Sequence, residues 1–388
     1  MFVDMEPEDQ LCLMLARGEL SPEVREQTLE LLASPLRWPL FLAHTKKYDI
    51  CPIIYQNLET LGFRSVPDPI RAELTKIFGV NSIRSEVFGK ETARILQFLG
   101  DAGIPAMPLK GIALAASLYR NPALRVCADI DILVPAEHAT DAFHLIVASG
   151  YQSEFTQRPL LDLFVRYGKD CLLMRQDNTC TYPLELHCAL LWGGELERDL
   201  LNEIWAQADR KTFYGVAAFA LSEDWDLLYL TLHAARHGLA SIKWLLDLDR
   251  LCSRGSVDWE RVMTTAKLWG WEDAVRSTLT ECVSLFDTPV SPAFDLKTSP
   301  SGTRFSRPSD LRVLTQTFLS LQLLKTATQR ARFLAIRLFI PTPADCEFLP
   351  LPSWLFFLYY PLRLSRVTCK LIWWVGRAGF NKMSHGAS

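Results

Sequence analysis

Residues 124–135 read LRVCADIDILVP, and the fold turns on how this stretch is laid down. The run is read as an extended strand. Strand side chains alternate with period two, so Asp129 and Asp131 fall on one face. Ile130, Ile132, Leu133 and Val134 are apolar and β-prone, which predicts a strand buried on one side and doubly negative on the other. Two like charges so placed repel, by on the order of 4 kcal/mol at ~4 Å and an effective dielectric of ~20. A hard divalent cation such as Mg²⁺ reverses that sign, and it takes carboxylates together with substrate phosphates as ligands.

Upstream, IPAMPLKG (104–111) reads as a strand entering a tight turn at Lys110 and Gly111, followed by a short helix in IALAASLYR. Downstream, HATDAFHLIVASG is an amphipathic helix closed by Gly150. KDCLLMRQ, TYPLELHCALL and YGVAAFALS read as further strands, with Asn178 in a hairpin turn. This alternation predicts an α+β (mixed α/β) fold, a small sheet core flanked by helical regions on both sides. The expected division is a helical region over 1–85, a core over 86–220 and a second helical region over 221–388. A linker is expected near 286–310, where Pro, Ser and Gly accumulate. In the N-terminal region Ser21 and Pro22 read as an N-cap and first helical residue. Gly103 reads as a helix terminator.

Composition bounds the rest. The chain has 388 residues, 49% of them hydrophobic and 22% charged, which supplies ample material for a core. A net charge of −3 argues against a protein that coats nucleic acid. Ten scattered cysteines with no CxxC pair predict reduced thiols and a cytoplasmic location rather than a disulfide framework. The first twenty residues carry five acidic side chains and no basic n-region, unlike a secretory signal. Beyond Glu347 there are no acids, five Lys or Arg and many aromatics. Residues 350–388 are therefore expected to lie as a final helix across the core, the alternative being peripheral contact with an anionic membrane or a partner protein. Motifs for P-loops, dinucleotide folds and serine-hydrolase elbows are all missing.

PLKGIALAASLYRNPALRVCADIDILV (108–134), with Gly150-Tyr151 and LELHCALLW (184–192) after it, resembles the uncharacterised bacterial nucleotidyltransferase family of the polymerase-β superfamily. The likeness continues through LHAARHGLASIKWLLDLDRL and LPSWLFFLYYPLRL. It implies a Mg²⁺-dependent enzyme moving an NMP from an NTP to an acceptor hydroxyl with release of pyrophosphate. Asp129 and Asp131 map onto the metal-binding carboxylates, and Glu185 becomes the third ligand or the general base. Lys110 and Gly111 are expected to hold phosphates at a helix N-terminus. Arg125 is expected near the site, on a phosphate or paired with an aspartate, and His187, on the same strand face as Glu185, is expected either to contact the substrate or to be a satisfied structural histidine. The superfamily more often has serine after the glycine and aspartate at the third acid; here they are Ile112 and Glu185. Those departures motivate the alternative of a weak or inactive scaffold in a biosynthetic or envelope-polymer pathway. The acceptor, base preference and oligomeric state are not written in the residues. WGGELE (192–197) reads as a loop. His233 and His237, at i and i+4 with Ala234 where a zinc motif needs glutamate, are expected to line the cleft with Arg236 and Lys243. Asp247 and Asp249 are expected to pair with these bases, and Trp225 and Trp244 to sit in the core.

Overall fold

The computed structural model describes residues 5–370 apart from 156, 179, 240, 293 and 295–311. Five helices open the chain: α1 (Pro7–Leu15), α2 (Pro22–Leu32), α3 (Trp38–Lys47), α4 (Cys51–Thr60) and α5 (Asp68–Asp101). Ser21 caps α2 by accepting from the Val24 amide at 3.3 Å, with Pro22 at the first helical position. Helix α5 runs unbroken for 34 residues through position 85 and stops where Gly103 takes φ +72°.

Then come β1 (Met107–Leu109), α6 (Lys110–Leu118), β2 (Ile130–Leu133), α7 (Ala139–Ala148), β3 (Gln152–Ser153) and α8 (Arg158–Tyr167). They are followed by β4 (Asp170–Gln176), β5 (Thr181–His187) and α9 (Gly194–Ala206). The strands form a sheet of order β1-β2-β5-β4-β3. Strand β2 is parallel to β5 and every other pair is antiparallel. One face is apolar: Ile130, Ile132, Cys171, Leu173, Leu184 and Leu186 pack with Phe88, Ile95 and Leu99 of α5 and with Ala142 and Ile146 of α7. Burying an aliphatic side chain is worth roughly 1.5–3 kcal/mol. Ile130, Ile132, Leu184 and Leu186 together therefore contribute on the order of 6–12 kcal/mol to holding this sheet on its helices.

That opposite face is roofed by helices: α10 (Glu223–Arg236), α11 (Ile242–Cys252), α12 (Trp259–Trp269) and α13 (Glu272–Phe286). Leu109 and Leu133 share a hydrophobic cluster with Leu227, Leu230 and Leu245 of these helices and with Leu11 and Ile54 of the N-terminal ones. Further on lie α14 (Arg312–Gln322), α15 (Ala327–Phe339), α16 (Pro343–Phe348), a 3-10 segment Ser353–Leu358 and a helix over 359–370. Phe356 and Tyr359 seal against Leu160 and Cys346, while Trp354 and Phe357 are 75% and 61% exposed. The linker expected near 286–310 and the end of the expected 350–388 segment fall largely outside the described residues. Among the described residues no helix is long and apolar enough to cross a membrane.

Three local expectations are corrected. The strand predicted over Arg125–Val134 is shorter: Pro122–Leu124 form a 3-10 turn and Arg125–Asp129 are irregular, so Asp129 precedes β2 rather than lying in it. The physical reason is tertiary, because the Asn81 amide of α5 holds the Ala123 carbonyl at 2.6 Å and Asp247 holds Arg125. YGVAAFALS does form a strand, β7 (Val216–Ala220), but it pairs with β6 (Asp209–Phe213) in a separate hairpin. WGGELE is not a loop, since Gly194 begins α9. The buried Glu197 carboxylate accepts from the amides of Leu190, Leu191, Trp192 and Gly193, which fixes the chain as it leaves β5.

Candidate active site

The register of the parallel pair sets Asp131 opposite Glu185 and Leu133 opposite His187. Because side chains alternate, Asp131, Glu185 and His187 all project from the face under α10. His187 is fully buried. Its Nε2 lies 2.8 Å from Asp131 Oδ1 and 3.3 Å from Glu185 Oε2. Asp131, Glu185 and His187 can each point a ligand atom at one spot, all within 4.8 Å of one another.

Strand β1 brings the turn. Lys110 and Gly111 have φ of +36° and +30°, the first a rare conformation for a residue with a side chain and the second, at ψ −118°, a conformation for glycine. A Cβ on Gly111 would stand 3.3 Å from the Asp129 carbonyl oxygen and 3.7 Å from Asp131 Oδ2. The turn is thus packed directly against Asp131. Lys110 Nζ lies 2.9 Å from Asp131 Oδ1.

The charges are strongly coupled. Burial works against the ammonium of Lys110, but Tyr229, Asp131 and Glu185 outweigh it and hold its pKa above the ordinary lysine value. Burial also opposes the Asp131 carboxylate, yet Lys110 and His187 keep its pKa far below normal. Asp129 behaves oppositely: burial, then the negative charges of Asp131 and Glu185, push it up to about 6. Burial and Lys169 oppose a proton on His187, while its bonds to Asp131 and Glu185 favour one, with a net upward shift.

Arg125 lies behind the turn, 5% exposed. Its Nε and Nη2 donate to Asp247 and its Nη1 to the Gly111 carbonyl at 3.0 Å, so it braces the turn and has no free face for a phosphate. Tyr119 completes this assembly by donating to Asp247 Oδ1. Asp247 therefore pairs with Arg125 rather than with the bases expected, and Asp249 accepts from Thr288. Lys243 pairs with Asp49. His233 is buried beside Trp244, its pKa drawn down by burial and by the charge of Lys110, and His237 pairs with Gln316. Trp225 is a core residue, and Trp244 is half-buried against the two histidines.

Two neighbours were missed from sequence. Asp170 opens β4 and forms an ion pair with Lys169 just before it. Asp170 is the register partner of His187, with Oδ2 3.8 Å from Nδ1. The signal was available: a hairpin closing at Gln176 and Thr181 across Asn178 counts back to Asp170 opposite His187.

The site thus sets a glycine turn of a mixed sheet beside paired carboxylates, and the family comparison says which class of protein it belongs to. The family described as uncharacterised nucleotidyltransferase matches residues 34–287, more than half of the chain and the whole of this site, and the chain belongs to that family. Among solved structures, an antigenic nucleotidyltransferase-like protein from Paracoccidioides brasiliensis aligns with 53% of this chain and 94% of its own at 15% identity, with a TM-score of 0.36. No curated protein sequence matches the chain.

Proposed function

We propose that the protein transfers a nucleoside monophosphate from an NTP to an acceptor hydroxyl and releases pyrophosphate. The observation that carries this reading is the pairing of Asp131 with Glu185 across adjacent strands, with the Gly111 turn packed directly against Asp131. Asp131 and Glu185 would supply oxygens to a divalent cation, with a ring nitrogen of His187 within reach of the same spot and Asp129, just ahead of β2, taken from the sequence as a further ligand. Mg²⁺ bound there supplies charge neutralisation for the triphosphate and for the departing pyrophosphate.

The chain's own groups do the remainder. The Gly111 turn and the start of α6 present backbone amides to phosphate oxygens. Lys110 adds a cation at the same spot and exchanges its Asp131 partner for a phosphate oxygen. Glu185, half-buried and so reachable, takes the proton of the acceptor hydroxyl as its oxygen bonds to the α-phosphorus and the bond to pyrophosphate breaks. Arg125 acts at a distance by fixing the Gly111 carbonyl.

The test is incubation with α-labelled NTPs, Mg²⁺ and a cell lysate, comparing the native chain with D129A/D131A checked for retained fold. Label should pass to an acceptor only with the native chain, and equal labelling by both overturns the reading. A scaffold role has one observation in its favour, the ion pair by which Lys110 already covers Asp131. Calorimetric titration separates the two, because Mg²⁺-dependent NTP binding belongs to the enzyme and its absence to the scaffold.

A further inference from the structure

A cavity of about 400 Å³ opens beside the acidic cluster, between the start of β4, α8, α10 and α15. That volume suits a small molecule. Its floor is Lys169 and Asp170, and Asp170 is the residue that faces His187. Phe164 and Phe333 give it an apolar lining, and Arg236, Arg337 and Arg363 a basic one, the Arg337 guanidinium lying over the Phe333 ring at 5.6 Å.

These arginines are poorly neutralised. Arg363 shares Asp345, at 3.5 Å, with Arg366. Arg236 donates to the Leu191 carbonyl at 2.6 Å and Arg337 to Thr317 Oγ1 at 3.4 Å. Among the described residues neither has a carboxylate partner. Partial burial and the like charges of Arg363 and Arg236 lower the pKa of Arg337. Two of the three cations, Arg236 and Arg337, thus face a concave site with no carboxylate of their own, which favours an anion from solution.

The sheet order says which substrate this concerns. The glycine turn belongs to β1, on one flank of the Asp131–Glu185 pair, and the cavity begins at β4, on the other flank. Phosphates held at the turn therefore leave the cavity side of Glu185 to the second substrate.

We propose that this cavity is the acceptor subsite, and that the acceptor is an anionic small molecule, bearing a phosphate or carboxylate on the arginines and an apolar or ring portion on the phenylalanines. This rests on the nucleotidyl-transfer reading and adds the chemical class of the acceptor.

The test is calorimetric titration of the full chain with phenyl phosphate, benzoate and phenol, each with and without saturating Mg²⁺ and a non-hydrolysable NTP. Phenyl phosphate or benzoate should bind at least tenfold more tightly than phenol whether or not the nucleotide is present, and the tighter of the two identifies the anion. Arg337 reaches solvent, so R337Q is expected to fold; it should weaken the anion at least fivefold with nucleotide affinity unchanged, and R337K should restore part of the loss. Equal binding of phenol, no effect of R337Q, or mutual exclusion of anion and nucleotide each overturns the proposal, the last by assigning the arginines to the triphosphate. Nucleotide binding without anion binding sinks the subsite and leaves nucleotidyl transfer standing. Anion binding without nucleotide binding removes the acceptor role through failure of the function reading instead.

Discussion

Asp131 and Glu185 are register partners across a parallel pair of strands, and His187 Nε2 lies between them, 2.8 Å from one carboxylate and 3.3 Å from the other. The two acids differ in environment. Asp131 is 2% exposed and meets two basic groups, Lys110 and His187, whereas the Glu185 side chain is 31% exposed.

That difference separates stability from activity. D131N leaves Lys110 and His187 without their buried anion and should cost on the order of 3 kcal/mol in urea unfolding. E185Q, at a more exposed position, should cost less than about 1 kcal/mol. Both should lower nucleotidyl transfer by ~100-fold or more, since each removes a donor from the same cluster. Equal stability of the two variants would contradict the burial argument.

Arg125 and Asp247, 122 residues apart, form an ion pair exposed by only 5% and 0% at the side chains. Removing one partner strands the other in the core. R125M or D247L alone should destabilise by about 3–5 kcal/mol, while the double variant should recover much of that loss. A double-mutant cycle by chemical denaturation measures it, and additive losses would show that the pair is not coupled.

Gly111 sits at φ +30°, ψ −118°, with the Asp129 carbonyl 3.3 Å from where a Cβ would be. G111A should cost about 1–3 kcal/mol in stability, read by scanning calorimetry. It should also raise the KM for NTP more than it changes kcat, because the added methyl obstructs phosphate approach. An unchanged melting temperature would mean that the turn relaxes freely.

Glu8 illustrates a pH effect far from the site. Its carboxylate, 2% exposed, accepts from the Arg37 backbone amide at 2.7 Å and from the guanidinium at 3.0 Å. Those Arg37 bonds, outweighing burial, bring its pKa from 4.5 down to about 2. A depressed carboxylate pKa means stability present above the ordinary value and lost as pH falls through the folded one. Between pH 5 and pH 2 the native chain should therefore lose on the order of 2 kcal/mol more than E8Q, a figure reduced for screening at the exposed Arg37. Parallel stability curves for the two proteins would refute this.

Much of the frame was legible in residue order. Alternation in ADIDILV and TYPLELH showed β2 and β5, and the glycine at 111 marked the turn. Ser21 and Pro22 marked a helix start because capping is local chemistry. The Arg125–Asp129 approach was misjudged, since its conformation is set by Asn81 and Asp247, neither of them nearby in sequence. Helix α9 was hidden because the carboxylate that organises its entry, Glu197, binds amides on the preceding residues, and composition alone does not show that.

Local periodicity therefore marked most strands and helices and the shared face of Glu185 and His187, because both follow from backbone geometry over a few residues. Tertiary structure alone decided that Asp131 stands opposite Glu185, that Arg125 braces the turn from behind, and that three arginines from separate segments meet around one cavity. Those relations depend on strand register and helix docking, which are fixed by burial of the whole apolar face and not by any single stretch of sequence.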